Sequence, residues 1–282
     1  RRQRQMCIRD SYTAAKTDFR VWAPTAKAAE LLVYPSADAG ATPTSYPMTK
    51  SVNGTWIASL SGDQDGTIYT YRVDLGGRLS EAVDPYVRAA TINGRRGVVV
   101  DLAKTNPAGF EMSTKPAFSG KPTDATFYEL HVRDLSMDAS SGISAPHKGK
   151  FLGLTETGTK TPDGKSKTGI DAIKELGVTH VQLLPIYDYK TVDEALNTQF
   201  NWGYDPQNYN VPEGSYSTQP ANPTNRITEL KQTVQFLHGQ GLRVVMDVVY
   251  NHVFDATSHS FEKLVPGYYF RKNPNGTFAN GT

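Results

Sequence analysis

The amino-acid sequence predicts an immunoglobulin-like all-β sandwich followed by the first part of an α/β (TIM) barrel. Two observations carry this. Between Asp18 and Ala117 short strand-like runs recur between turn residues with no helical stretch among them; after Thr123 strand-length and helix-period runs alternate. Size and composition agree, since 282 residues suffice for two compact domains, and 38% hydrophobic with 21% charged residues is an ordinary globular balance.

In the first unit, DFRVWAP and KAAELLVYP alternate apolar and polar positions before Pro24 and Pro35. GTWIASL, GTIYTYRVDL and GVVVDL each open on a glycine. Strand runs spaced by about 8–12 residues with turn signals between them indicate an antiparallel sandwich. No repeat of fixed period is present, so neither a propeller nor a solenoid is indicated. Trp22, Trp56, Tyr69 and Tyr71 have two readings, a platform for a pyranose face or filling of the sandwich core. Trp22 and Trp56 lie inside strand runs, which favours the core.

The period then changes. ATFYELHVRDL reads as a strand, and TGIDAIKELG as a helix with Ile170, Ile173 and Leu176 on one face, ended by Gly177. THVQLLP is a second buried strand. ITELKQTVQFLHGQG repeats the helix with Ile227, Leu230, Val234 and Leu237 inward, and LRVVMDVVYNH is a third strand. Strand, helix, strand, helix, strand indicates a parallel α/β sheet or barrel. The Tyr, Asn, Gln and Pro-rich stretch from Tyr187 to Asn225 is too long for an ordinary connection and is expected to be a functional loop. The Gly- and Lys-rich run from 149 to 169 lacks a phosphate-loop spacing and reads as a solvated surface loop. His131 and His180 read as core histidines within strands. Glu129, His131 and Arg133 share one strand face and read as a buried ionic cluster. The expected domains are 1–17, non-native or disordered; 18–120, the sandwich; and 123–282, the N-terminal part of the barrel.

Other classes are excluded by charge and hydropathy. A net charge of +2 does not supply the basic face of a nucleic-acid binder. No apolar run approaches the roughly 20 residues of a membrane span, and no apolar stretch of signal-peptide type follows the basic first residues. The single cysteine, Cys7, permits neither an intrachain disulfide nor a thiolate metal site. It lies in RRQRQMCIRDS, an unpatterned run that looks foreign to the remainder of the chain.

Polar clusters fall where barrel enzymes carry their chemistry, at the C-terminal ends of strands: Arg133–Asp134, FNWGYDP at 200–206, and Asp247 with Asn251 and His252. With YELHVRDLS at 128–136 and LGVTHVQLLPI at 176–186, these motifs resemble type I pullulanases of the α-amylase superfamily, glycoside hydrolase family thirteen. FNWGYDP is the specific element, with Phe200 where tyrosine is usual. FRVWAPTA and DPYVRAATINGRRGVVVDL resemble the family-forty-eight carbohydrate-binding module that precedes such barrels.

The resemblance implies hydrolysis of α-1,6-glucosidic linkages in pullulan, amylopectin and limit dextrins with retention, by a nucleophilic carboxylate and a raised-pKa acid about 5–5.5 Å apart. The nucleophile Asp, acid Glu and stabilising Asp would lie beyond Thr282, so no catalytic residue is assigned here and the chain alone is expected to be inactive. Tyr204 matches the tyrosine that stacks under the sugar at the cleavage subsite, and His252 the histidine that hydrogen-bonds it. Asp247 is either a structural hydrogen-bonding group or a substrate contact, and Trp202 either packs the loop or lines the pocket. On a continuing strand Asp247 and Asn251 would point the same way. The Asn251 position often ligates calcium in related amylases, but no metal or other cofactor is assigned. The implied partner is an α-glucan, with no nucleic acid or membrane, and the whole enzyme is expected to be a monomer. The compartment of this bacterial-type protein, cytoplasmic or secreted, stays open. Isoamylase, glycogen-branching enzyme, and a non-catalytic α-glucan-binding chain are the alternatives.

Overall fold

The computed structural model describes residues 10–279. Cys7 and most of the basic N-terminal run therefore lie outside the described residues.

The sandwich is built from β1 (Ser11–Thr13), β2 (Lys16–Trp22), β3 (Ala28–Tyr34), β4 (Thr44–Pro47), β5 (Thr49–Lys50), β6 (Thr55–Ser61), β7 (Ile68–Asp74), β8 (Leu79–Ala82) and β9 (Gly97–Val98). One sheet runs β1-β2-β6-β5 and the other β4-β3-β7-β8, with β9 beside β7. Alternation along β2 sends Phe19 and Val21 inward, where they meet Leu31, Tyr69, Tyr71 and Val73. Each such side chain, fully buried, contributes on the order of 1.5–3 kcal/mol. Trp56 is core, its indole N–H donating to Ala23 O at 3.0 Å. Trp22 is only half-buried and packs edge-on against Tyr268 and Tyr269 of the second unit.

The module starts earlier than the expected boundary at 18. Thr13 and Lys16 close a hairpin that pairs β1 with β2. Asp10 is tied in by Arg20 N (2.8 Å) and the Tyr71 hydroxyl (2.6 Å), both donating to Oδ1. A three-residue edge strand is too short to show a period, so the start of the module carries no strand signal in the sequence.

The second unit has a parallel sheet β10-β11-β14, from β10 (Phe127–Leu130), β11 (His180–Leu183) and β14 (Arg243–Met246). Phe127, His180 and Arg243 are in register at one end, and Leu130, Leu183 and Met246 at the other. After the short α1 (Asp134–Met137), the crossovers are α2 (Gly169–Glu175) and α3 (Asn225–Gly239), and α4 (Ser260–Leu264) follows the sheet. The expected loop between 187 and 225 instead holds an antiparallel hairpin, β12 (Tyr187–Tyr189) and β13 (Pro206–Pro212). Its polar, tyrosine-rich strands lack the apolar alternation that marks a strand.

Several expected faces shift. Ile170 and Ile173 are buried, but Leu176, one residue past α2, is 64% exposed. Six residues on, a continuing helix would face about 120° away from Ile170. On α3 the expected Ile227 and Leu237 are buried and Leu230 packs partly against the core, but the buried face also takes in the polar Arg226, Glu229 and Thr233. The supposed surface loop begins in the core, because Phe151 and Leu154 pack under α3. His131 follows β10 and is buried, whereas His180 opens β11, is only half-buried and stacks on Phe127. Glu129 is exposed and accepts from Gln182 Nε2 at 2.8 Å. Because β10 stops at Leu130, Glu129, His131 and Arg133 do not form a buried ionic cluster.

The units are joined by polar contacts. The Asn93–Gly94 turn, both residues at positive φ, enters the second unit. Asn93 N donates to Glu194 Oε2 (2.6 Å), Glu194 N returns a bond to Asn93 Oδ1 (2.7 Å), and Asn208 Nδ2 donates to Gly94 O (3.2 Å). A Cβ on Gly94 would overlap Asp188, Gln207 and Asn208. Lys231 of α3 clamps the linker, donating to Leu102 O, Thr105 Oγ1 and Asn106 Oδ1 at 2.6–2.9 Å.

Candidate functional site at the open end of the sheet

The sequence-predicted residues come together just past the C-terminal ends of β11 and β14. The third strand stops at Met246, so Asp247 and Asn251 are not on one continuing strand. Asp247 is placed by its own N–H, which donates to Leu183 O at 3.0 Å. From the 200–206 loop, the Tyr204 hydroxyl donates to Asp247 Oδ2 at 2.7 Å. Burial, then the bond to Asp247, pushes the Tyr204 phenol up to about 12, so it stays a neutral donor.

His252 lies against the same tyrosine, with Nε2 2.6 Å from Tyr204 O and Nδ1 3.0 Å from Asn251 Nδ2. A carbonyl only accepts, so Nε2 donates to it, while Nδ1 accepts from the amide. The Tyr209 hydroxyl holds the His252 carbonyl at 2.8 Å. Both ring nitrogens are thus engaged. In this arrangement His252 positions Tyr204, and a direct bond to a sugar needs one of those contacts to open.

Trp202 is 60% exposed and rests edge-on against Phe200, with ring centroids 5.6 Å apart. Phe200 in turn leans on His131 at 4.9 Å. The buried His131 is the anchor of this loop: its Nε2 lies 2.8 Å from Asn201 O and 3.0 Å from the Tyr216 hydroxyl. Burial lowers its pKa, keeping it neutral. Gly203, at φ +89°, lets the loop pass Pro185, which a Cβ would meet. Trp202 and Tyr204 therefore present aromatic surface beside a carboxylate acceptor, the combination that suits a pyranose with its apolar C–H face and hydroxyl rim. As a metal site this end is poor. Among the described residues, neither Asp247 nor His252 belongs to a group of three acidic or imidazole ligands close enough to share an ion.

Sequence reasoning missed His131 as the loop anchor and Asn201 as its partner, since only the strand's early end turns His131 toward the loop. It also missed the buried Asp188, Glu194, Glu213 and Arg226, three carboxylates around one guanidinium.

Sandwich, polar junction and aromatic-lined sheet end define the class: a carbohydrate-binding module packed on an α-amylase-type barrel segment. Family models agree, with "Carbohydrate-binding module 48 (Isoamylase N-terminal domain)" matching residues 8–87 and "Alpha amylase, catalytic domain" matching 166–278. The pullulanase of Bacillus subtilis (strain 168) is 43% identical over 272 residues, 96% of this chain and 36% of that protein. The crystal structure of the Paenibacillus barengoltzii pullulanase with maltohexaose and α-cyclodextrin superposes with a TM-score of 0.92 at 53% identity, covering 96% of this chain and 42% of that one. That of the Anoxybacillus sp. LM18-11 enzyme with maltotetraose gives 0.87 at 44% identity, over 96% and 38%. The chain belongs to the type I pullulanases. It spans little more than a third of the length of the Bacillus subtilis relative.

Proposed function

We propose that the protein carrying this chain is a starch-debranching glycoside hydrolase that cleaves α-1,6-glucosidic linkages with retention, acting as a monomer on an α-glucan. In this reading the chain supplies the module and part of the substrate-binding wall, while the paired carboxylates come from residues outside it. The observation that carries the proposal is the Tyr204–Asp247–His252 group at the strand ends, with Trp202 and Tyr204 exposed. The oligosaccharides bound to the matched pullulanases support an α-glucan as ligand.

The test is digestion of pullulan by the polypeptide that carries this chain. Maltotriose is the expected product, and Tyr204→Ala is expected to lower kcat/KM about tenfold, the equivalent of about 1.4 kcal/mol of lost stacking and bonding. Attack on glycogen with pullulan left intact would favour isoamylase-type specificity instead. Retention on insoluble starch with no hydrolysis would favour a glucan-binding role alone.

A further inference from the structure

Among the described residues the chain has three Asn–Gly pairs, beginning at Asn53, Asn93 and Asn275. Glycine lacks the Cβ that would shield its backbone nitrogen, so that nitrogen can reach the preceding asparagine Cγ. How firmly each pair is held decides whether it does.

Asn93 is locked at the junction of the two units. Its Nδ2 donates to Asp193 Oδ1 at 3.1 Å, its Oδ1 accepts from Glu194 N at 2.7 Å, and Gly94 N donates to Thr91 O at 2.9 Å. Asn275 is held by its own turn. Its Oδ1 accepts from Thr277 N at 3.1 Å and from Thr277 Oγ1 at 2.7 Å, and Gly276 N donates to Asn273 O at 2.9 Å. Asn53 differs from both. It is exposed, and its side-chain amide has no hydrogen bond among the described residues. Only its carbonyl is tied down, accepting from Trp22 Nε1 at 2.9 Å. Turning ψ of Asn53, now 27°, toward attack disturbs that one bond of the residue, whereas three must open at each of the other pairs. Two more bonds of ordinary strength slow a reaction on the order of thirtyfold.

We propose that Asn53 is a site of spontaneous deamidation, which places an aspartate or isoaspartate beside Trp22. Gly54 N bonds to Asn53 Cγ and gives up its proton; the Cγ–Nδ2 bond breaks and ammonia leaves with that proton, closing a cyclic imide. Water then breaks the new Cγ–N bond, leaving aspartate, or the original peptide C–N bond, leaving isoaspartate with the chain running through Cγ. Nothing is oxidised or reduced. Aspartate keeps the backbone and adds one negative charge. Isoaspartate also lengthens the backbone by one atom, at a turn where Gly54 is seated so close to Pro24 that even a Cβ would overlap it. The Trp22 bond is then lost. Trp22 packs edge-on against Tyr268 and Tyr269, with centroids 4.6 and 6.2 Å away, so a change at one exposed turn of the module reaches its contact with the second unit.

The polypeptide carrying this chain is incubated at pH 8 and 37 °C, and its tryptic peptides are followed by mass spectrometry with fragmentation to place each change. Asn53 is expected to gain about 1 Da at a rate at least about tenfold above Asn93 and Asn275. In urea the three pairs should react at similar rates. Isoaspartate at Asn53 should speed hydrogen exchange in the segment holding Tyr268 and Tyr269, and Asn53→Gln should abolish both the mass gain and that change. A rate at Asn53 no higher than at the other two overturns the proposal, as does a difference that persists unchanged in urea. Faster exchange with age in Asn53→Gln overturns the link to Trp22.

Discussion

Replacing Arg226 with methionine removes the only cation from the buried acidic group while keeping most of the side-chain volume. The guanidinium is fully buried and donates to both Glu194 oxygens and to the carbonyls of Pro212 and Pro220, each at 3.2 Å. In Arg226→Met, Glu194 keeps two backbone donors but no counter-charge, and two carbonyls lose their partner. Breaking a buried pair on one side costs about 3–5 kcal/mol. At 2–4 °C per kcal/mol for a chain of this size, Tm is expected to fall by roughly 6–20 °C. Thermal melts followed by near-ultraviolet circular dichroism read this directly. Glu194→Gln placed on top removes the stranded charge, so the double variant should lose at least about 2 kcal/mol less than the sum of the singles. A single variant within about 2 °C of wild type, or strict additivity, would refute the view that Glu194 depends on Arg226.

Two further outcomes concern the cores. Asp10 has its pKa raised from 3.8 to about 6, chiefly by burial, with bonds from Tyr69 and Tyr71 opposing; Asp84 in the same site rises too. The folded state therefore holds the proton more tightly. The stability this contributes is fully present below about pH 3.8, is lost as pH rises through about 6, and amounts to about 3 kcal/mol. Urea midpoints between pH 4 and 7.5 should show the decline and Asp10→Asn should flatten it; an unchanged slope refutes the assignment. Phe151→Ala, fully buried against Tyr216, should cost about 3–5 kcal/mol in urea unfolding, whereas exposed Leu176→Ala should stay within about 0.5 kcal/mol. Equal costs would contradict the placement of the two side chains.

The strands of β2, β3, β6 and β7 were legible because alternation with turn residues has one physical meaning, a pleated strand with one buried face. β11 and β14 were legible because both are runs of apolar residues directly after a glycine-terminated helix. The 187–225 hairpin was not, since its strands are held by backbone pairing and buried polar side chains, which leave no apolar period. The same reason hid the inward face of α3, where Arg226, Glu229 and Thr233 are buried. Tyr204, Asp247 and His252 could be named from motif resemblance, but nothing local says that His252 bonds to the Tyr204 carbonyl 48 residues away.

The amino-acid sequence by itself determined the two units, the order of their strands and the motifs of the sheet end, all properties of short stretches of chain. Only the tertiary structure decided which polar groups meet. Asp188, Glu194, Glu213 and Arg226 look like surface residues one at a time, and acquire their charge chemistry only when folding removes water from all four together.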